Sequence, residues 1–238
     1  MLWLSRKDIE HISRRLLRDY LKKVPQKVDH IDPADFAEKM CGLQFTFADI
    51  SEAHDAIGLT ATSGVIITIP QRDGTKLDYE LDGKTAFIDQ SLVAENQIGR
   101  LNFTMMHEAA HQLLWMLYPE EYEAQTPCCV FRMADEHTQY PVLDWEEWQT
   151  NVLTSFLLLP KELVYRHMAD VGLKDGISVL NRIYARKDYE RFWEAAKRLG
   201  VSKTALTIRL SQLGLVGRND LYDPYALVDI FPEKNEIA

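Results

Sequence analysis

From about Asn96 to Leu117 the chain is apolar nearly all round a helix: Ile98, Leu101, Phe103, Met105, Met106, Leu113, Leu114 and Leu117. A segment of this kind has to lie inside a core, with the other elements packed around it. Its few polar residues therefore need a reason to be there. Residues 103–111 read Phe-Thr-Met-Met-His-Glu-Ala-Ala-His, which puts His107 and His111 one turn apart on one helix face. Burying two imidazoles and a carboxylate without partners would cost several kcal/mol. A metal ion removes that cost. In the spacing H-E-x-x-H, His107 and His111 can ligate one Zn²⁺, and Glu108 sits beside the water such an ion would hold.

A catalytic zinc site takes three protein ligands and keeps one position open, so the third ligand must come from elsewhere. Residues 144–160 predict a second helix ending before Pro160, with Trp145, Trp148, Val152, Phe156 and Leu159 as its core stripe. Glu147 on this helix is the first choice. The 35 residues between His111 and Glu147 leave room for one connection and a return helix. Asn151, one turn beyond Glu147, is placed to orient a ligand imidazole by a hydrogen bond. Glu146 points about 100° away around the helix and is the second choice. His137 and His167 are weaker ones. Tyr118, His137, Tyr165 and His167 are unranked candidates for a second electrophile.

The flanking sequence predicts a mixed, mostly helical fold. Residues 5–24 have apolar positions at helical spacing, and residues 5–28 carry eight Lys/Arg against three Asp/Glu. Asp32-Pro33 and Gly42 bracket a short helix. Residues 65–89 predict a three-stranded antiparallel meander turned at Asp73-Gly74 and Asp82-Gly83. Residues 118–143 read as a long irregular stretch, of the kind that can form a lid. Further helices are expected at Lys161–Ala169, Ile177–Ala185 and Tyr189–Leu199. Residues 200–216 look like the second helix of a helix-turn-helix, with Ser202 as N-cap and Gly214 as stop. The reading divides the chain into a unit of residues 1–160, a helical region of 161–216 and an irregular tail of 217–238.

Composition narrows the function classes. A net charge of −9 over 238 residues argues against a nucleic-acid binder, and a packing or partner-docking role for 200–216 is preferred over entry into a DNA groove. No apolar run approaches the roughly 20 residues needed to span a bilayer, and residues 1–8 lack the apolar core of a signal peptide, so a cytoplasmic, non-membrane protein is expected. Cys41, Cys128 and Cys129 form neither a C-x-x-C knuckle nor a disulfide framework. Reduced thiols are the expectation.

Phe-Thr-x-x-His-Glu-x-x-His followed by Glu-Trp-Gln-x-Asn-x-Leu-x-x-x-Leu-Leu-x-Pro resembles the ImmA/IrrE metallopeptidase family. The likeness is strongest over residues 100–160 and extends to the basic N-terminal helix and to 200–216. It implies a zincin-like fold with Zn²⁺ as cofactor and Glu147 as third ligand. It also implies a cytoplasmic endopeptidase that cuts a helix-turn-helix repressor. Thr154-Ser155, where the family commonly has small apolar residues, and the long 118–143 segment depart from its pattern. The rival expectation is a regulatory module that binds a repressor or nucleic acid and does no proteolysis. A third is a histidine pair buried without metal.

Overall fold

Ile98–Leu117 is one helix (α3), and every residue from Thr104 to Trp115 is buried. The structure is a computed structural model and describes residues 3–25, 27–61, 64–71, 74–122, 128–132 and 145–225. Around α3 stand two layers. Helices cover one side: Arg6–Lys23 (α1), Pro33–Cys41 (α2) and Trp145–Leu158 (α5). Helices α2 and α5 pack on α3, and α1 packs on α5. A sheet covers the other side, with Ala56–Ala61 (β2) lying along α3.

Local chemistry explains the helix ends. Ser5 and Asp8 form a reciprocal capping box at the start of α1, and Lys22 and Lys23 sit where the helix dipole favours cations. Asp32 accepts from the Ala34 and Asp35 amides, Pro33 opens α2, and Gly42 closes it at φ 68°, a left-handed conformation that favours glycine. These bounds agree with the sequence expectation.

The sheet does not. Val65–Pro70 (β3) and Lys76–Leu81 (β4) pair antiparallel as expected, but Thr85–Asp89 (β5) leaves them. It joins a four-stranded mixed sheet of order β1-β5-β2-β6, where β1 is Gln44–Ala48 and β6 is Cys128–Arg132. β5 runs parallel to β1 and antiparallel to β2, and β2 runs antiparallel to β6. The three-stranded antiparallel sheet is therefore corrected to a hairpin plus a larger mixed sheet. Ala86, Phe87, Ile88 and Asp89 are all buried, which suits a central strand better than the outer strand of a ribbon. The stretch expected to be irregular also supplies structure: Pro119–Tyr122 (α4) and β6 fall within it. Asp73, His137 and residues 226–238 lie outside the described residues.

Beyond Pro160 the chain forms Lys161–Asp170 (α6), Ile177–Leu180 (β7), Arg186–Arg198 (α7), Lys203–Gln212 (α8) and Val216–Asn219 (β8). The helix expected over 177–185 is instead β7, paired parallel with β8. Asn181 then accepts from the Ile183 and Tyr184 amides, which turns the chain out of the strand before α7 begins. One apolar cluster runs through α1, α2, α3 and α5 and on through α6, α7 and α8. Gly99 at the start of α3 lies against the Val201–Ser202 backbone, where an added Cβ would come within 2.4 Å of the Ser202 nitrogen. Asn102 donates to the Gly200 carbonyl at 2.8 Å. The central helix is thereby pinned to the turn between α7 and α8. Among the described residues no helix is long and apolar enough to cross a membrane.

Candidate metal centre

Helices α3 and α5 bring together the three residues expected as ligands. His107 Nε2 and His111 Nε2 face each other at 3.1 Å. Glu147 lies opposite both, with Oε2 at 3.2 Å from His107 Nε2 and Oε1 at 3.1 Å from His111 Nε2. Two imidazole nitrogens and a carboxylate aimed at one point make a group that could hold a metal ion. Bonds of about 2.0–2.1 Å in a tetrahedral site set its donor atoms roughly 3.3–3.4 Å apart, close to the spacing found here. The donor set, two nitrogens and a carboxylate, is of the kind zinc accepts.

The two histidines are fully buried, and the side chain of Glu147 is 29% exposed. Burial, only partly countered by the hydrogen bond to Glu147, pushes His107 down to about 4, so its ring is neutral, as a metal ligand must be. Burial alone would raise the Glu147 carboxyl. Hydrogen bonds from His107 and His111 outweigh it and hold the group well below the usual carboxylate range. Asn151, named from sequence as an orienting residue, acts on the His107 ring and favours its protonated form.

Glu108 presents a different problem. It is fully buried, and among the described residues neither carboxylate oxygen has a hydrogen-bond partner. Burial first, and the nearby Glu147 charge after it, raise its carboxyl to about 8, against a lowering by His111. A carboxyl so placed is poised to exchange a proton near neutral pH. Its slot is cut into the sheet. A Cβ on Gly58 of β2 would stand 2.2 Å from Glu108 Oε1 and 2.7 Å from Thr104 Cγ2. Gln112, one turn past Glu108, donates to Thr60 Oγ1 at 2.8 Å and to the Ala61 carbonyl at 3.0 Å, which holds α3 against β2.

The other sequence candidates divide. Glu146 does not face the three-residue cluster; its Oε1 lies 3.6 Å from His111 Nδ1, on the far side of the ring, and accepts from Trp115 Nε1 at 3.2 Å. His167 is committed elsewhere, with Nε2 2.6 Å from the Asp29 carbonyl. Tyr165 sits beneath the Lys161 ammonium on α6. Tyr118 caps the C-terminal end of α3. Sequence reasoning missed Gly58, Gln112, Trp115 and Thr150. Only Gly58 carried a signal: an isolated glycine inside the apolar run Ala56–Ala61 marks a close approach by a neighbour.

Comparison with known protein families finds no match to this chain, and none of the curated proteins matches it either.

Proposed function

We propose that this protein is a zinc-dependent endopeptidase of the kind its resemblance to the ImmA/IrrE family implies, acting on a helix-turn-helix repressor in the cytoplasm. The observation that carries this reading is the convergence of His107, His111 and Glu147 beside a buried carboxyl without a partner, Glu108. A metal ligand set alone fits a structural site. A carboxyl held next to it in a glycine-lined slot fits hydrolysis.

When bound, zinc supplies a Lewis acid that acidifies water and polarises a carbonyl. His107 and His111 present neutral nitrogens, and Glu147 adds the negative charge. Asn151 keeps the His107 ring in place. Glu108 is the proton carrier: in its ionised form the carboxylate would take a proton from the attacking water and return it to the leaving amine. Gly58 keeps the space in which that carboxylate sits.

The test is direct. The full chain should bind about one zinc per molecule and cleave a helix-turn-helix repressor when incubated with it. Glu108→Gln should keep the zinc and lose roughly 10²–10⁴-fold in cleavage rate. A Glu108→Gln variant with full biological activity would instead identify a regulatory binding module. A wild-type chain that takes up no metal would sink the reading altogether.

A further inference from the structure

The two histidines of the centre are held differently at the nitrogens that face away from it. With their Nε2 atoms turned to Glu147, both rings can take either of two neutral forms. A proton on Nε2 donates to the Glu147 carboxylate and blocks a metal. A proton on Nδ1 leaves Nε2 free to ligate. The group next to Nδ1 therefore decides which form prevails. For His107, the side chain of α5 that acts on the ring beside the ligand Glu147 is a neutral amide, Asn151. For His111 it is different: Thr150 Oγ1 stands 3.4 Å from Nδ1 and Glu146 Oε1 3.6 Å, both on α5.

We propose that Glu146 is a positioning residue for His111, holding its proton on Nδ1 so that Nε2 is presented to the metal. This rests on the reading that His107, His111 and Glu147 bind zinc. Three observations support it. Glu146 sits one residue before the third ligand, so a single helix turn carries both the ligand and the orienting charge. Its carboxylate is largely withdrawn from water, at 17% exposure, which strengthens its field at the ring. It is also fixed from the side by a buried indole, since Trp115 donates to the same Oε1 that lies nearest His111. Trp115 in turn lies one turn beyond His111 on α3, with the two rings 5.8 Å apart. His111, Glu146 and Trp115 make a closed circuit from α3 to α5 and back. At 3.6 Å the contact with Nδ1 is longer than a direct hydrogen bond, so the effect is a charge acting on the N–H while Thr150 accepts at closer range.

The experiment uses the full chain and zinc itself. Zinc affinity is measured by competition with a chromogenic chelator for wild type, Glu146→Gln and Trp115→Phe. Long-range proton–nitrogen NMR of the metal-free protein reads the His111 tautomer directly. Glu146→Gln keeps the shape and the acceptor for Trp115 but removes the charge. It is expected to weaken zinc roughly tenfold to a hundredfold and to shift His111 toward the Nε2–H form, with the metal-free melting temperature unchanged. Trp115→Phe should give a smaller loss in the same direction, and Glu146→Asp should recover part of it. Wild-type affinity and an unmoved tautomer in Glu146→Gln would overturn the role of Glu146 and leave the zinc reading standing. A wild-type chain without zinc affinity would overturn both.

Discussion

Helices α3 and α5 bury many of their polar side chains, whereas α7 and α8 turn most of theirs to the solvent. On the first pair His107, Glu108, His111, Gln149, Thr150 and Thr154 are all buried. On the second, Arg186 pairs with Glu190 and Arg198 with Glu194 at the surface, each one helical turn apart. The outward face of α8 carries Thr204, Ile208 and Ser211, none of them charged. Charges held in water interact weakly, and charges or rings withdrawn from it interact strongly. The same residue types thus mean different things in the two places. On the first pair His107, His111 and Glu147 converge in a group that could hold a metal ion.

The contrast can be broken most severely at the slot. Gly58→Val should drive Glu108 out of place. It should abolish cleavage, leave zinc stoichiometry near one, and lower stability toward the upper end of the roughly 1–3 kcal/mol that overpacking costs. Urea unfolding and metal analysis would check this; unchanged cleavage would show that the slot does not position Glu108. The second region holds a charged exception to its own rule. Arg209 on α8 is buried, donates to the Leu159 carbonyl at 3.0 Å and lies over the Phe156 ring. Arg209→Ala should cost about 1.5–3 kcal/mol, the range for a hydrogen bond to a charged group.

Acidity separates the regions next. Between pH 4.5 and 6.5 the folded, metal-free chain keeps a proton on Glu108 that the unfolded chain has lost. Over the same range it refuses one on His107 that the unfolded chain has gained. The two slopes cancel. Of these two groups, only Glu108 still differs from 6.5 to about 8. Stability then falls as pH rises, by up to about 1.4 kcal/mol per unit. Below 4.5, acid destabilises through Glu147, and through His107 down to about 4. Denaturant melts in chelator across pH 4–8 test this, and a metal-free stability that climbs from 6.5 to 8 would contradict it. With zinc the trend above 6.5 should reverse, because protons compete with the metal for its ligands. The smallest effect belongs to the surface. Arg198→Ala, which breaks an exposed pair with Glu194, should change stability by no more than about 0.5 kcal/mol.

Much of the helical frame was legible because it is written locally. Asp32 with Pro33, and Ser202, each mark a helix start by chemistry that needs only the next three residues, and α1 shows in its apolar spacing. The strands were read less well. Ile177 and Leu180 fit a helix face and a short strand equally, and the choice fell to β8, which reaches them from residues 216–219. The runs at 44–48 and 56–61 were not read as strands, and β5 was given the wrong partner. Its neighbours, β1 and β2, lie well before it in the chain. Pairing over such distances leaves no periodic trace within the strand itself.

The residues of 98–117 are enough to say that α3 is buried, that His107 and His111 share a face, and that Glu108 lies beside them. All three follow from helical periodicity and from the solvation cost of polar groups in an apolar segment. Only the tertiary structure decided that Glu147 faces the histidine pair while Glu146 stands behind His111, and that Gly58 opens the slot for Glu108. Those are matters of how α5 and β2 are rotated and docked against α3, and packing across the whole core sets that rotation.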